Sequence, residues 1–201
     1  MWKHVPNILT FARLGLTFVF FFMIVYSPRV ENLKFFFDVA FVLFLVAAVT
    51  DVVDGYIARR YNASSKFGRI IDPLVDKVLV CGAFICFAVI GLPRLFGLGR
   101  EVLAVVHWSV AAIIIVREVY VTVLRHMAEA RGINFGAVAS GKIKMLLQSF
   151  SIGTVLVKSA HVQAAWGDWF TALVFAAMIV MTVVSGLDAT RRRKTPQLAN
   201  D

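Results

Sequence analysis

Six uncharged, largely apolar runs recur along the chain, at 14–26, 39–50, 78–92, 102–116, 145–157 and 169–187. They constrain the fold more than any other feature. A helix needs about 20 such residues, rising 1.5 Å each, to cross the hydrocarbon of a bilayer. The last run nearly reaches that length alone, and the others reach it by taking in polar residues at one end. The expectation is an all-α integral membrane protein with six transmembrane helices, roughly at 7–26, 35–58, 70–92, 102–125, 143–162 and 167–188. A mean hydropathy of +0.80 fits that class. A buried soluble helical core is also oily, but not across six such runs. The first run has no small-residue cleavage site after it and reads as a span rather than a removable leader.

The basic residues then orient the chain, because cytoplasmic loops of membrane proteins are enriched in Lys and Arg. One side holds Lys3, Arg13, Arg59, Arg60, Lys66, Arg69, Lys77, Arg117, Arg125, Arg131, Lys142, Lys144, Arg191, Arg192, Arg193 and Lys194. The other holds Arg29, Lys34, Arg94, Arg100 and Lys158. Sixteen against five places the first side, and with it both termini, in the cytoplasm. The net charge of +9 is thus topology and attraction to anionic lipid heads. No basic soluble module is present to bind nucleic acid. One membrane domain is expected over 1–190, with a basic cytoplasmic tail at 191–201 that frays. Cys81 and Cys86 are five apart inside one span and read as packing residues.

Against this oily background, four of twelve acids fall between residues 51 and 76: Asp51, Asp54, Asp72 and Asp76. The first two are three apart and the last two four apart, so on helices each pair shares a face. Asn62, Ser64, Ser65 and Gly68 supply a turn between two antiparallel spans. Four carboxylates would then converge just inside the membrane boundary. At about 4 Å and an effective dielectric near 20, each like pair repels by about 4 kcal/mol, so protons or cations must neutralise them. Oxygen donors suit hard divalent ions, and no Cys or His in the stretch argues for zinc. Two Mg²⁺ or Mn²⁺ ions fit the ligand count. Gly55 and Ala58 leave room on their helix face, and Arg59 offers a planar fork for phosphate oxygens. Carboxylates, metal and arginine together describe phosphate transfer. The alternative is a solvated pair of helix ends whose acids pair with Arg59, Arg60, Lys66, Arg69 and Lys77. Ionisable groups within spans are costly and mark function, which weighs against it.

Asp51, Asp54, Gly55, Ala58, Arg59, Gly68, Asp72 and Asp76 spell D-x2-D-G-x2-A-R-x8-G-x3-D-x3-D with every interval intact. That pattern resembles the signature of the CDP-alcohol phosphatidyltransferases. The segments "VPNILTFARL", "IVREVYVTVLRHMAE" and "GKIKM" extend the resemblance toward the branch formed by bacterial phosphatidylglycerophosphate synthases. The resemblance implies a six-helix membrane fold, a homodimer, and a polar active-site cavity facing the cytoplasm at the bilayer boundary. It implies transfer of a phosphatidyl group from CDP-diacylglycerol to glycerol 3-phosphate with release of CMP. By the same resemblance, Asp51, Asp54 and Asp72 would hold the metals. Asp76 would touch the second metal and act as general base. Gly55, Arg59 and Ser65 would contact the nucleotide or diphosphate, with Ala58 and Gly68 making room. Pro6 and Asn7 would lie near the CDP group.

An acceptor carrying its own phosphate needs cations apart from the metals. Arg13, Arg117 and Lys142 are the first choices, with Arg125 and Lys144 beside them; anchoring to lipid heads is their bland reading. Glu118 could pair with Arg13 or Arg117. His107 is expected to be packed, His4, His126 and His161 to carry no chemistry, and Trp2, Trp166 and Trp169 to anchor at the interfaces. Asp38 lies far from the acid cluster, and helix-start stabilisation suffices for it. Three rival readings stay open. One is a sister enzyme of the same fold, such as a cardiolipin synthase taking phosphatidylglycerol, or one taking serine or inositol phosphate. The second is a divalent-cation transporter, which would distribute its acids along a pore. The third is a silent scaffold. A bacterial inner membrane is expected rather than a mitochondrial one, since no transit peptide precedes the first span.

Overall fold

The computed structural model describes the backbone of residues 5–61, 66–130 and 139–194, and the side chains of 11–50, 75, 77–128, 130 and 140–191. Six α-helices account for nearly all of it: α1 (Val5–Tyr26), α2 (Leu33–Tyr61), α3 (Lys66–Ile90), α4 (Arg100–Glu129), α5 (Ala139–His161) and α6 (Ala165–Lys194). Five contain one of the apolar runs whole, and α3 ends at Ile90, two residues short of the end of the run at 78–92. A single 3₁₀ turn, Ser27–Arg29, follows α1, where Pro28 sits near its start. Local chemistry sets several ends. The Asn32 side chain accepts the Phe35 N–H at 3.2 Å, capping the start of α2. Glu101 sits in the first turn of α4, and Lys158 and His161 in the last turn of α5, each matching the helix dipole. The chain departs from expectation at its end. α6 runs on to Lys194, through the boundary expected at 190. Arg191, Arg192, Arg193 and Lys194 are good helix formers, and their charge favours a helix C-terminus.

Among the described residues the helices close into a ring in the order α1, α2, α5, α6, α4, α3, with α3 and α5 also touching across the middle. All six contribute to one core, including Phe20 and Ile24 of α1, Phe44 of α2, Phe84 and Phe87 of α3, Ile114 of α4, Leu156 of α5 and Met178 of α6. Small residues let the ring tighten. A Cβ on Gly82 of α3 would collide with the Phe21 ring of α1, and one on Gly153 of α5 would stand 3.1 Å from the Phe41 ring of α2.

The outward faces carry large apolar side chains, among them Phe18, Phe22, Phe35, Val105, Leu146, Trp169 and Leu173. Four helical stretches, Phe11–Arg29, Leu33–Thr50, Arg100–Ala128 and Ala165–Arg191, are long and apolar enough to cross a membrane. The apolar part of α3, Lys77–Ile90, is shorter. α5 carries Lys144, Gln148 and Ser151, all buried inside the ring, so its composition understates how well its surface suits lipid.

The end of the bundle where α5 finishes is fastened by polar contacts. Lys158 pairs with Asp168 at 2.8 Å and donates to the Arg94 carbonyl at 2.6 Å. The other Asp168 oxygen accepts the Phe96 N–H at 2.8 Å. Phe96 has a positive φ of 52°, a costly backbone for a bulky residue, and Asp168 holds it there while Trp169 meets its ring edge-on. His161 and Asp38 pair at 2.7 Å, so Asp38 has a tertiary partner beyond the helix-start role expected of it. His107 is buried, with Nε2 3.1 Å from the Pro93 carbonyl, a packed histidine as its sequence context implies. Cys81 and Cys86 both lie in α3 and are not joined by a disulfide.

Candidate active site

The acids that dominate the sequence belong to two helices. Asp51 and Asp54 lie on the last third of α2, and Asp72 and Asp76 on the first half of α3. Both stretches are helical, so the spacings of three and four keep each pair on one helix face. α2 and α3 each pack against α1 and against α5, so the two acid-bearing helices share two neighbours. The side chains of all four aspartates lie outside the described residues, as do those of Pro6, Asn7, Gly55, Ala58, Arg59 and Gly68. Asn62, Ser64 and Ser65 of the expected turn lie outside them entirely, while the backbone of Gly68 belongs to the first turn of α3.

The flanks of Asp76 are described. Val75 is fully buried, and Lys77 is half-buried with its ammonium donating to the Thr122 hydroxyl of α4. Thr122 in turn donates to the Glu118 carbonyl one turn earlier, at 2.6 Å. Lys77 thus ties α3 to α4.

Glu118 is the centre of a second, cationic group. Its carboxylate accepts Arg117 Nη1 at 2.9 Å and also pairs with Lys144 of α5. Glu118 and Lys144 are both buried, so the pair spans the interior of the ring. Arg117 lies along α6, where a Cβ on Gly186 would sit 3.6 Å from its Cγ. Glycine at that position leaves space for the arginine stem. Arg13 is also buried, on α1, and the Thr17 hydroxyl donates to its carbonyl at 2.8 Å. Of the five acceptor-site candidates, Arg13, Arg117 and Lys144 are thus inside the bundle. Lys142 and Arg125 lie exposed on its surface. Lys142 and Lys144 differ by two residues, which turns their side chains to different sides of α5. The pairing of Glu118 with Arg117 was legible in the sequence. Its bond to Lys144, and the Lys77–Thr122 link, were not, although a lysine or carboxylate inside an apolar span is itself a signal.

Chemically, the described cluster offers fixed cations in a water-poor interior. Removing both from water is costly, and the shared carboxylate offsets part of that cost while holding them in place. Cations so held suit an oxyanion. The acidic stretch offers only oxygen donors, which suit a hard divalent ion.

A Mycobacterium tuberculosis (strain H37Rv) protein named probable phosphatidylglycerophosphate synthase is 34% identical over 191 residues, covering 94% of this chain and 81% of that one. A Bacillus subtilis (strain 168) protein named CDP-diacylglycerol–glycerol-3-phosphate 3-phosphatidyltransferase is 32% identical over 191 residues, covering 91% of each. A Shigella flexneri protein of the same name is 30% identical over 196 residues, covering 92% of this chain and 91% of the other. The family model of the CDP-alcohol phosphatidyltransferases matches residues 3–189, and this integral membrane chain belongs to that family.

Proposed function

We propose that the chain transfers the phosphatidyl group of CDP-diacylglycerol to sn-glycerol 3-phosphate, giving phosphatidylglycerophosphate and CMP. The observation that carries this reading is near full-length similarity to proteins named for that reaction, within a family whose model covers nearly the whole chain. The complete aspartate signature supports an active enzyme over a scaffold, and its confinement to one stretch of two helices supports catalysis over an ion path.

In this reading Asp51, Asp54, Asp72 and Asp76 hold two Mg²⁺ or Mn²⁺ ions. All four are oxygen donors, so the set fits those ions. When bound, such ions offset charge on a diphosphate and its leaving group. Arg59, Gly55 and Ser65 contact the CDP group, Ala58 and Gly68 leave room for it, and Pro6 and Asn7 border it. Asp76 takes the proton of the attacking glycerol hydroxyl. That oxygen forms a bond to the phosphorus nearest the lipid as the bond to CMP breaks. Arg13, Arg117 and Lys144 grip the acceptor's phosphate from inside the bundle. Lys142 and Arg125, on the surface, draw it toward the cavity mouth. All six helices span a bacterial inner membrane, the site faces the cytoplasm, and the enzyme is a homodimer.

A CMP-release assay tests the assignment. Purified protein receives CDP-diacylglycerol, Mg²⁺ and, one at a time, glycerol 3-phosphate, phosphatidylglycerol, serine and inositol phosphate. Release with glycerol 3-phosphate alone is expected. Preferential release with another acceptor would assign the chain to a sister activity, and release that neither falls with EDTA nor rises on restoring Mg²⁺ would remove the metal from the reading.

A further inference from the structure

The Glu118 cluster leaves hydrogen-bonding capacity unused. Three buried polar atoms near it have no hydrogen-bond partner among the described residues: Arg117 Nε, Gln148 Nε2 and Thr182 Oγ1. Gln148 is 1% exposed and Thr182 fully buried. Buried donors of this kind are expensive to leave unmet.

Their positions are related. Gln148 is four residues after Lys144 on α5, hence on the same face, about 6 Å further along the axis. Thr182 is four residues before Gly186 on α6, the glycine that faces Arg117. α6 follows α5 after a short turn and packs closely on it, so the two helices run in opposite directions. Counting back from Gly186 on α6 and forward from Lys144 on α5 therefore moves the same way. Gln148 and Thr182 thus each lie one turn along their own helix, in the same direction, from a residue that meets the Arg117–Glu118–Lys144 cluster. All three unmet groups can donate: a guanidinium N–H, an amide NH₂ and a hydroxyl.

Buried donors lacking acceptors, one turn from fixed cations on two packed helices, are suited to a group that only accepts. We propose that Gln148 and Thr182 form the floor of the acceptor site and hydrogen-bond the terminal phosphate oxygens of glycerol 3-phosphate, alongside Arg117 Nε. The inference rests on the cation cluster being the acceptor-phosphate site, and it adds two neutral residues that charge alone does not identify. Their neutrality has a physical reason. Arg117 and Lys144 are already partly balanced by Glu118, and a further buried cation would be costly within a span. An amide and a hydroxyl supply directed hydrogen bonds without that cost.

The test uses full-length protein in detergent and the near-isosteric variants Gln148→Met and Thr182→Val, with Thr182→Ser as the conservative rescue. Hydrogen bonds to charged groups are worth roughly tenfold or more in affinity. Each of the first two variants is expected to raise the KM for glycerol 3-phosphate about tenfold. Each should also raise the Ki of inorganic phosphate in parallel, with the KM for CDP-diacylglycerol unchanged. Thr182→Ser should stay near wild type. The unchanged donor KM serves as the internal check of folding. If both variants keep wild-type KM and Ki, these groups bind only internal water and the floor assignment falls. The same follows if KM rises while the phosphate Ki does not. If instead the wild-type protein makes no phosphatidylglycerophosphate, or Arg117→Ala leaves the acceptor KM unchanged, the underlying reading fails first.

Discussion

Asp76 and Glu118 are both carboxylates in an apolar chain, and the proposed reading gives them different work. Asp76 follows the buried Val75 on α3 and belongs to a cluster of four acids. Proton removal by a positioned base contributes about 10²–10⁴ in rate. Asp76→Asn should therefore lower kcat by about that factor while CDP-diacylglycerol still binds. Turnover near wild type, with both substrates saturating, would take the base role from Asp76. Glu118 is instead enclosed by two cations, Arg117 and Lys144. Its removal leaves two like charges buried with their shared counterion gone. Breaking a buried pair costs about 3–5 kcal/mol, so Glu118→Ala should unfold on heating well below wild type, with Glu118→Gln between them. A thermal midpoint of Glu118→Ala within a degree of wild type would show that the three charges do not depend on one another.

At the scale of helices, the described residues show a link between α3 beside Asp76 and the cationic group. Lys77, next to Asp76, bonds Thr122, and Thr122 bonds the carbonyl of Glu118. This chain fixes α3 against α4, and in the proposed reading, where donor and acceptor would meet at that level, small misplacements of reacting groups cost rate steeply. Thr122→Val keeps the volume and deletes the hydroxyl. A fall in kcat of about tenfold with little change in either KM is expected, and recovery in Thr122→Ser. A variant whose kinetics match wild type would reduce the link to simple packing. The helices themselves were legible because the bilayer demands apolar length: runs at 14–26 and 102–116 mark α1 and α4 directly. Their polar extensions were not, since the last turn of α6 is arginine and lysine, which reads equally as a tail. The site was legible in halves. Acids spaced three and four apart announce themselves, whereas Lys144 and Lys142 look alike in sequence, and only the packing of α5 puts one inside and the other outside. Gln148 and Thr182 carry no motif; what distinguishes them is burial without a partner.

Across the whole molecule the two ends differ in how their charges are matched. The end carrying the α3–α4 loop has five basic residues and four acids: Glu31, Asp38, Glu101 and Asp168. There Lys158 is tied to Asp168 and His161 to Asp38, so much of the charge is locally paired. The opposite end holds sixteen basic residues against eight acids, and ends in the basic last turn of α6. An excess of cations of this kind is retained on the cytoplasmic side during insertion, and it also draws anionic lipids and phosphorylated substrates to that surface. In the proposed reading, orientation and chemistry would follow from one asymmetry, with the substrates' phosphates approaching from the side whose charge attracts them. Labelling with a membrane-impermeant maleimide tests this, with Cys81 and Cys86 replaced by alanine. A cysteine at Leu98, which is 45% exposed in the α3–α4 loop, should be labelled in intact spheroplasts. One at Arg191, exposed near the end of α6, should be labelled only after the membrane is opened. The reverse pattern would put the aspartates and the Glu118 cluster on the side away from cytoplasmic glycerol 3-phosphate, and the proposed reaction could not then draw on its acceptor.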